Sequence, residues 1–240
     1  MSYYVMKAFI LAGGEGTRLR PYTYKTPKPM MRIGNKPILQ YVIENLARAG
    51  IEEFIITSGY KHEQIVDYFG DGSEFGVKIE HAIESEKLNT AGSILPHKSK
   101  IDDTFIVAMG DHITNIDIRS MLNKHEENKS PATIALLREQ VPLQFGIAEV
   151  KDGFVSSFRE KPLLTHLYNV AIYAFEPSIF DFIQEKEDFA KDVFPRMMEN
   201  NEKIGAFIFE DVWYDIGNVE EYERLVKEFE SAKLTKDLKL

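Results

Sequence analysis

The chain has 240 residues, 44% apolar and 28% charged, enough to bury a substantial core in one large α/β unit or two small ones. A net charge of −9 argues against a general nucleic-acid binder, whose footprint is a basic surface, and the absence of cysteine excludes disulfides, zinc-thiolate centres and thiol nucleophiles. No stretch approaches the roughly 18 apolar residues of a membrane span, and the apolar run within residues 1–12 contains Lys7 and lacks a cleavage region, so a cytoplasmic location without a membrane partner is the default expectation.

The first predicted element is a strand through Val5 and Ala8 to Ala12, with residues 1–5 read as an upstream extension. It stops at Gly13-Gly14-Glu15-Gly16, and Thr17, Arg18, Arg20, Lys25 and Lys28 follow within a dozen residues. Glycines at a strand end adopt positive φ and let backbone N–H groups approach a ligand with no Cβ in the way. Arg18 offers phosphate oxygens a planar fork of donors, and Lys28 offers a movable point charge. No GK[ST] closes the run, and the third glycine of a dinucleotide fingerprint falls on Leu19, so this is a phosphate loop of another sort. The rival reading is a plain turn with solvated cations. Pro21, Pro27 and Pro29, which stiffen the cation-bearing segment, weigh against it.

Ile38, Leu39, Val42, Ile43, Leu46 and Ala47 recur at helical spacing, with Gly50 as the stop. Strands follow at Phe54–Thr57, Val77–Ile83 and Phe105–Met109, with a helix over His62–Phe69 between the first two. This alternation predicts a parallel or mostly parallel sheet covered by helices. After residue 130 the strands crowd together, at Ala132–Leu137, Gly146–Val150, Phe154–Phe158 and Tyr168–Phe175, with Asp152-Gly153 as a hairpin turn. Helical patterns return at Pro177–Glu185, Phe189–Asn200 and Val219–Ser231, and the tail Thr235–Leu240 reads as frayed. No linker, repeat or low-complexity tract divides residues 1–240, so a single domain is expected.

Asp111 lies just past the apolar strand Phe105–Met109, at the sheet edge where α/β folds bind ligands; its rival role is to cap the next helix. Asp215, in Trp213-Tyr214-Asp215-Ile216-Gly217, is a second carboxylate in an apolar frame, and either it or Asn218 is a candidate cap of the final helix. Together the two aspartates suit Mg²⁺, which takes one or two carboxylates plus phosphate oxygens and water. The triplet Arg159-Glu160-Lys161 is either a solvated strand end or a second phosphate-binding position, with Glu160 free to accept from hydroxyls. Leu88–Ser93, with its small side chains, is either a place where a flat ring approaches the backbone or a tight loop. The six histidines show no HxH or HExxH spacing and receive no metal role; His112, next to Asp111, either lines the site or, the favoured expectation, lies at the surface.

In their order these segments resemble the sugar-1-phosphate nucleotidyltransferases, over nearly the whole chain. Residues 13–30 match that family's GGxGTRLxPxTxxxPKPM, followed by TAG at Thr90–Gly92, GD at Gly110-Asp111, FG at Phe145-Gly146, EKP at Glu160–Pro162, YNVAIY at Tyr168–Tyr173 and WYDIG at Trp213–Gly217. The resemblance implies a Rossmann-like α/β fold with a mixed, mostly parallel sheet flanked by helices and an inserted sugar-binding region. It implies a reaction in which a sugar 1-phosphate oxygen attacks the α-phosphorus of a nucleoside triphosphate and pyrophosphate leaves. Arg18, Lys28, Asp111 and Lys161 match the catalytic positions, and Leu11, Ala12, Gly13, Gly14, Gly16, Thr17, Thr90 and Gly92 match nucleotide-binding ones. Gly146, Glu160, Lys161 and Asn169 match the sugar-phosphate site, and Asp111 and Asp215 match the ligands of Mg²⁺.

Two departures stand out: Asn89, where many relatives have Gly before TAG, and Ala171, where Gly is common after the strand Asn. The first is expected to alter base contacts and the second to tighten the sugar pocket. The chain ends without the left-handed β-helix of longer relatives, so a second, acetyl-transferring activity is not expected. By the resemblance the substrates are a nucleoside triphosphate and a hexose 1-phosphate, with GTP and mannose 1-phosphate as the first choice. Glucose 1-phosphate with dTTP or UTP is the alternative, and cytidylyl transfer to a phosphate such as phosphocholine a further one. A non-catalytic nucleotide-sugar sensor is the reading from another class; the presence of Arg18, Lys28, Asp111, Lys161 and Asp215 speaks against it. A homo-oligomer is open by analogy alone.

Overall fold

In chain order, a computed structural model gives β1 (Lys7–Leu11), β2 (Arg32–Ile33), β3 (Lys36–Pro37), α1 (Ile38–Arg48), β4 (Glu53–Ser58), α2 (His62–Phe69) and β5 (Lys78–Ile83). Then come α3 (Asn89–Gly92), β6 (Phe105–Met109), β7 (His112–Thr114), α4 (Ile118–Asn128), β8 (Ala132–Pro142), β9 (Ile147–Lys151), β10 (Phe154–Arg159) and β11 (Leu163–Phe175). The last elements are α5 (Phe194–Glu199), β12 (Ile204–Phe209), β13 (Trp213–Asp215) and α6 (Val219–Glu230). The structure describes residues 6–231; Val5, the extension 1–5 and the tail Thr235–Leu240 lie outside them.

Seven strands form one sheet in the order β12-β8-β11-β6-β1-β4-β5. β6, β1, β4 and β5 run parallel, β11 runs against both β6 and β8, and β12 runs parallel to β8, so the sheet is mixed and mostly parallel. The central parallel strands β1, β4 and β6 are largely apolar because both faces are covered, whereas the edge strand β5 carries exposed Lys78 and Glu80. Along β1 the faces alternate: Ala8 and Ile10 pack with Leu39, Ile43 and Leu46 of α1, while Phe9 and Leu11 pack with Phe105, Phe180 and Phe189 on the other side.

Local signals account for several boundaries. Gly50, at φ 96°, ends α1 with its N–H bonded to the Ala47 carbonyl. Asp152 and Gly153 both take positive φ and turn β9 into β10. The helical pattern of Pro177–Glu185 is realised as a 3₁₀ segment over Pro177–Phe182, and Phe189–Asn200 opens as a π-turn over Phe189–Val193 before α5. In both, large apolar side chains are fixed by the core rather than by a regular helix: Ile179, Phe189 and Val193 are fully buried.

α6 lies against the N-terminal segment. Its Tyr222 hydroxyl donates to the Arg32 carbonyl, Tyr22 donates to Glu223, and Phe229 occupies the space a Cβ at Gly34 would need. Leu19, Ile33, Ile38, Ile216 and Leu225 form a small core beneath these contacts. The last helix thus holds in place the loop that follows β1.

Candidate active site

At the carboxyl ends of β1, β4, β5 and β6 lies a cleft of about 940 Å³. Leu11, Ala12, Gly13, Gly14, Gly16, Thr17, Arg18, Lys28, Thr90 and Asp111 all line it. The loop after β1 owes its shape to internal contacts. Gly16 sits at φ 62° with Thr23 only 2.9 Å from where a Cβ would be, and the Thr23 hydroxyl donates to the Gly16 carbonyl over 2.9 Å. Tyr60 donates to the Thr23 carbonyl and fastens the loop to the end of β4. Gly14 differs: among the described residues nothing beyond its chain neighbours lies within 4 Å of its absent Cβ, so no packing among them demands glycine there.

Asp111 and Asp215, 104 positions apart, are brought together by the antiparallel ribbon of β7 and β13, whose register sets Asp215 opposite His112. The Lys28 ammonium lies between them, 2.6 Å from Asp111 and 3.5 Å from Asp215. Lys28 is only 8% exposed and sits on a one-turn 3₁₀ segment, Lys28–Met30, that begins after Pro27. Neither aspartate caps the helix nearest to it: Asp117 caps α4, and Asn218 caps α6 by accepting from the Glu221 N–H. Burial pushes the Asp111 carboxyl up, but His112 and Lys28 outweigh it and hold the group below the ordinary carboxylate value. One Asp111 oxygen, Oδ1, is buried without a hydrogen-bond partner.

His112 is a correction to the sequence reading. Its side chain is 13% exposed, not on the surface, with Nε2 at 3.5 Å from Asp111 and 3.6 Å from Asp215. Its Nδ1 lies 3.2 Å from the Val170 carbonyl and Trp213 packs edge-on against the ring, so β11 and β13 both fix it. Only the pairing of β7 with β13 turns it inward, and that pairing has no signature in the sequence.

The segment Leu88–Ser93 is tightly turned, and its Asn89, Thr90 and Ser93 line the cleft. Asn89–Gly92 forms a short helical turn whose Ala91 and Gly92 N–H groups donate to the Glu187 carbonyl. Thr90 reaches the cleft and bonds Asp188. Gly92 is buried, and its Cβ would stand 2.7 Å from the Lys186 backbone nitrogen, so its close neighbour is the segment behind it. That segment also brings Asp188 and Lys191 to the cleft wall and is tethered by the Glu187–Arg196 pair. No motif marked those residues, nor Glu84 beside Gly13.

Gly146, Glu160, Lys161 and Asn169 are not among the cleft-lining residues. They lie on the arm made by β9, β10 and the outer part of β11, where a Cβ at Gly146 would sit 2.8 Å from a Glu160 oxygen. Asn169 is oriented by two bonds, donating to the Tyr173 hydroxyl over 3.1 Å and accepting from the Ala171 N–H over 2.9 Å. Asn169 directly precedes Val170, whose carbonyl meets His112. The arm and the aspartate pair therefore adjoin through β11.

The family model that matches the chain is described as nucleotidyl transferase and covers residues 7–232. A UTP–glucose-1-phosphate uridylyltransferase of Synechocystis sp. is 32% identical over 92% of this chain and 63% of its own length. A mannose-1-phosphate guanylyltransferase of Mycobacterium tuberculosis is 32% identical over 93% of this chain and 64% of its own. The chain thus spans a little under two thirds of these curated relatives. Among solved structures, HddC from Yersinia pseudotuberculosis complexed with GMP-PN superposes with a TM-score of 0.73 at 26% identity, covering 93% of this chain and 99% of that one.

Proposed function

The chain belongs to the nucleotidyl transferase family, as a relative of the sugar-1-phosphate nucleotidyltransferases, and on that premise we propose that it joins a nucleoside triphosphate to a hexose 1-phosphate. The observation that carries this reading is the aspartate pair with Lys28 between its carboxylates, Lys28 and Asp111 lining a glycine-bordered cleft that also holds Arg18.

In the proposed reaction a phosphate oxygen of the sugar 1-phosphate forms a bond to the α-phosphorus. The bond from that phosphorus to the bridging oxygen of the β-phosphate breaks, and pyrophosphate leaves with the electron pair. The nucleophile is already an anion, so no general base is needed. The chain's task is to align two anions and neutralise charge on the attacking and leaving oxygens. Arg18 and the N–H groups of residues 13–17 hold the β- and γ-phosphates, and Lys28 serves the reacting centre. On the arm, Lys161 holds the sugar phosphate, while Glu160, Asn169 and Gly146, against whose Cβ position Phe158 and Glu160 pack, receive the sugar.

Asp111 and Asp215 fit a divalent cation: Asp111 Oδ1 is a buried acceptor without a hydrogen bond, His112 Nε2 standing 3.5 Å away, and both carboxylates converge on one positive group. Two carboxylates match what Mg²⁺ takes from a protein when substrate phosphates complete its shell. Mg²⁺ bound there would supply charge neutralisation on the phosphates. GTP with mannose 1-phosphate is the substrate pair we favour, supported by relatives named for that reaction, and a cytoplasmic setting follows from such substrates.

The test is pyrophosphate release with Mg²⁺ across GTP, dTTP, UTP, CTP and ATP, each with mannose, glucose or N-acetylglucosamine 1-phosphate. Release confined to a few pairs is expected. Asp111→Asn should lower turnover by about a hundred- to a thousandfold, the usual cost of removing a charge-stabilising group. Its melting temperature should stay near that of the parent, because Lys28 keeps Asp215 as a partner. Near-parental turnover would remove Asp111 from the reacting centre, and nucleotide binding without release from any pair would favour the sensor.

A further inference from the structure

The arm stands apart from the body of the protein. β9 and β10 pair with each other and meet no other strand or helix by more than marginal contact. A two-stranded ribbon left to itself is barely stable in water. This ribbon also shows apolar side chains to solvent: Phe145, Val150, Phe154, Val155, Phe158 and Leu163 are between 59% and 79% exposed. Of the 13 large apolar side chains exposed among the described residues, 8 lie between residues 145 and 168, so the exposure belongs to the arm and not to the surface at large.

Register brings several of these side chains to one face. Val155 stands opposite Val150 and Phe158 opposite Ala148, with a bulge between Val155 and Ser157. Ala148 and Val150 are two apart and so point the same way. The extra residue of the bulge returns Phe158 to the side of Val155. The Phe158 ring reaches to 2.5 Å from where a Gly146 Cβ would be, and a Glu160 oxygen to 2.8 Å. The apolar face therefore runs directly into the residues assigned to the sugar phosphate.

We infer that the arm is covered by the arm of a second copy of this chain, in a two-fold contact, and that this contact fixes the sugar-phosphate residues; the second part rests on the nucleotidyl-transfer reading for what Glu160 and Lys161 hold. Size and charge select this occupant. At ordinary side-chain areas the six residues expose roughly 700 Å². That exceeds the roughly 300–600 Å² of the largest patch on a typical monomer and is close to the roughly 800 Å² each partner gives to a standard interface. Residues 145–163 carry three cations, Lys151, Arg159 and Lys161, and three carboxylates, Glu149, Asp152 and Glu160, so the arm is neutral on a chain of net charge −9. Two copies meet there without the repulsion their bodies exert elsewhere. A nucleic acid or an anionic membrane calls for a surplus of cations, which the arm lacks. β9 and β10 each have an unpaired edge, and under a two-fold axis one surface serves as its own complement.

The experiment is sedimentation velocity of the full chain over a concentration series, on the parent and on Val155→Glu, with hydrogen exchange and steady-state kinetics on the same samples. The parent should sediment at twice the 27.6 kDa chain mass at about 10 μM, within the affinity range of interfaces this large. Val155→Glu sets a carboxylate against the partner's arm and should weaken the dimer by about tenfold or more. Exchange at residues 147–159 should be slow in the parent dimer and fast in the variant. On dissociation the KM for the sugar 1-phosphate should rise by about ten- to a hundredfold, the cost of misplaced substrate-holding groups. The KM for the nucleoside triphosphate should hold, because the arm's residues do not line the nucleotide cleft. A parent that stays monomeric at about 100 μM would overturn the contact, and its binding to neutral lipid vesicles would then give the face to a membrane. A dimer equally tight in Val155→Glu would place the interface elsewhere and overturn it too. A sugar-phosphate KM indifferent to dissociation would overturn the link to the site. A dimer broken by Val155→Glu, with no pyrophosphate released from any sugar 1-phosphate by the parent, would uphold the contact and refute the transfer reading.

Discussion

Asn89 and Ala171, where the resemblance leads one to expect glycine, both hold a backbone conformation that favours glycine. Asn89 sits at φ 61° and Ala171 at φ 54°, in the left-handed region that glycine occupies without penalty. Asn89 is suited to it and turns its side chain to the Lys186 carbonyl over 2.7 Å. Ala171 has no such compensation. It lies where the pairing of β11 with β8 skips, between Asn169 and Tyr173, and the bulge is what brings Asn169 back onto its own strand. A left-handed non-glycine residue costs about 1–2 kcal/mol. Ala171→Gly should therefore stabilise the protein by about 1 kcal/mol, partly offset by the freedom glycine adds to the unfolded chain. A rise in melting temperature of about 2–4 °C is expected for a chain of this size. No rise, or a fall, would mean that the Ala171 methyl group contributes more by packing than its backbone costs.

Among the elements, the β7–β13 ribbon and α6 form one device. The ribbon sets the aspartates together, and α6 begins four residues after Asp215. The cap is reciprocal: Asn218 accepts from the Glu221 N–H over 2.9 Å, while the Glu221 carboxylate accepts from the Gly217 N–H over 3.0 Å. Gly217 itself borders the cleft, with a carboxylate oxygen of Asp215 3.2 Å from its Cβ position. Losing an Asn cap typically costs about 1 kcal/mol. Asn218→Ala should lower the melting temperature by about 2–4 °C, and hydrogen exchange should rise first at residues 215–222 if the cap serves the aspartate loop. Protection unchanged there would make the cap a property of α6 alone.

At the scale of the whole molecule, a buried histidine lies away from the cleft. His125, 2% exposed on α4, has Nδ1 at 2.8 Å from the Thr133 hydroxyl on β8 and Nε2 at 3.0 Å from Glu176 after β11, which also accepts from Thr104 before β6. Burial lowers its pKa from the ordinary 6.5, and the opposing pull of Glu176 is smaller. A histidine depressed in the native state binds fewer protons folded than unfolded. Its contribution is complete above pH 6.5 and is lost as pH falls through the native value. The melting temperature should therefore decline as the pH falls below 6.5. In His125→Gln the plateau should be lower but that decline shallower, and an equally steep decline would place the proton uptake elsewhere.

From its residues alone the chain declared the phosphate loop, the apolar strands of a mostly parallel sheet, the helix His62–Phe69 and the two aspartates as metal-binding candidates. Such features are local: a glycine run with cations, a period of two or of 3.6, a carboxylate at a strand end, each set by a few consecutive side chains. Whether Asp111 and Asp215 meet, whether His112 faces them, what Gly92 touches and which face of the arm carries Phe158 were decided only in three dimensions. Each depends on strand order and register between segments up to a hundred residues apart. The choice among pairings rests on burial summed over the whole sheet, which no short stretch of sequence carries.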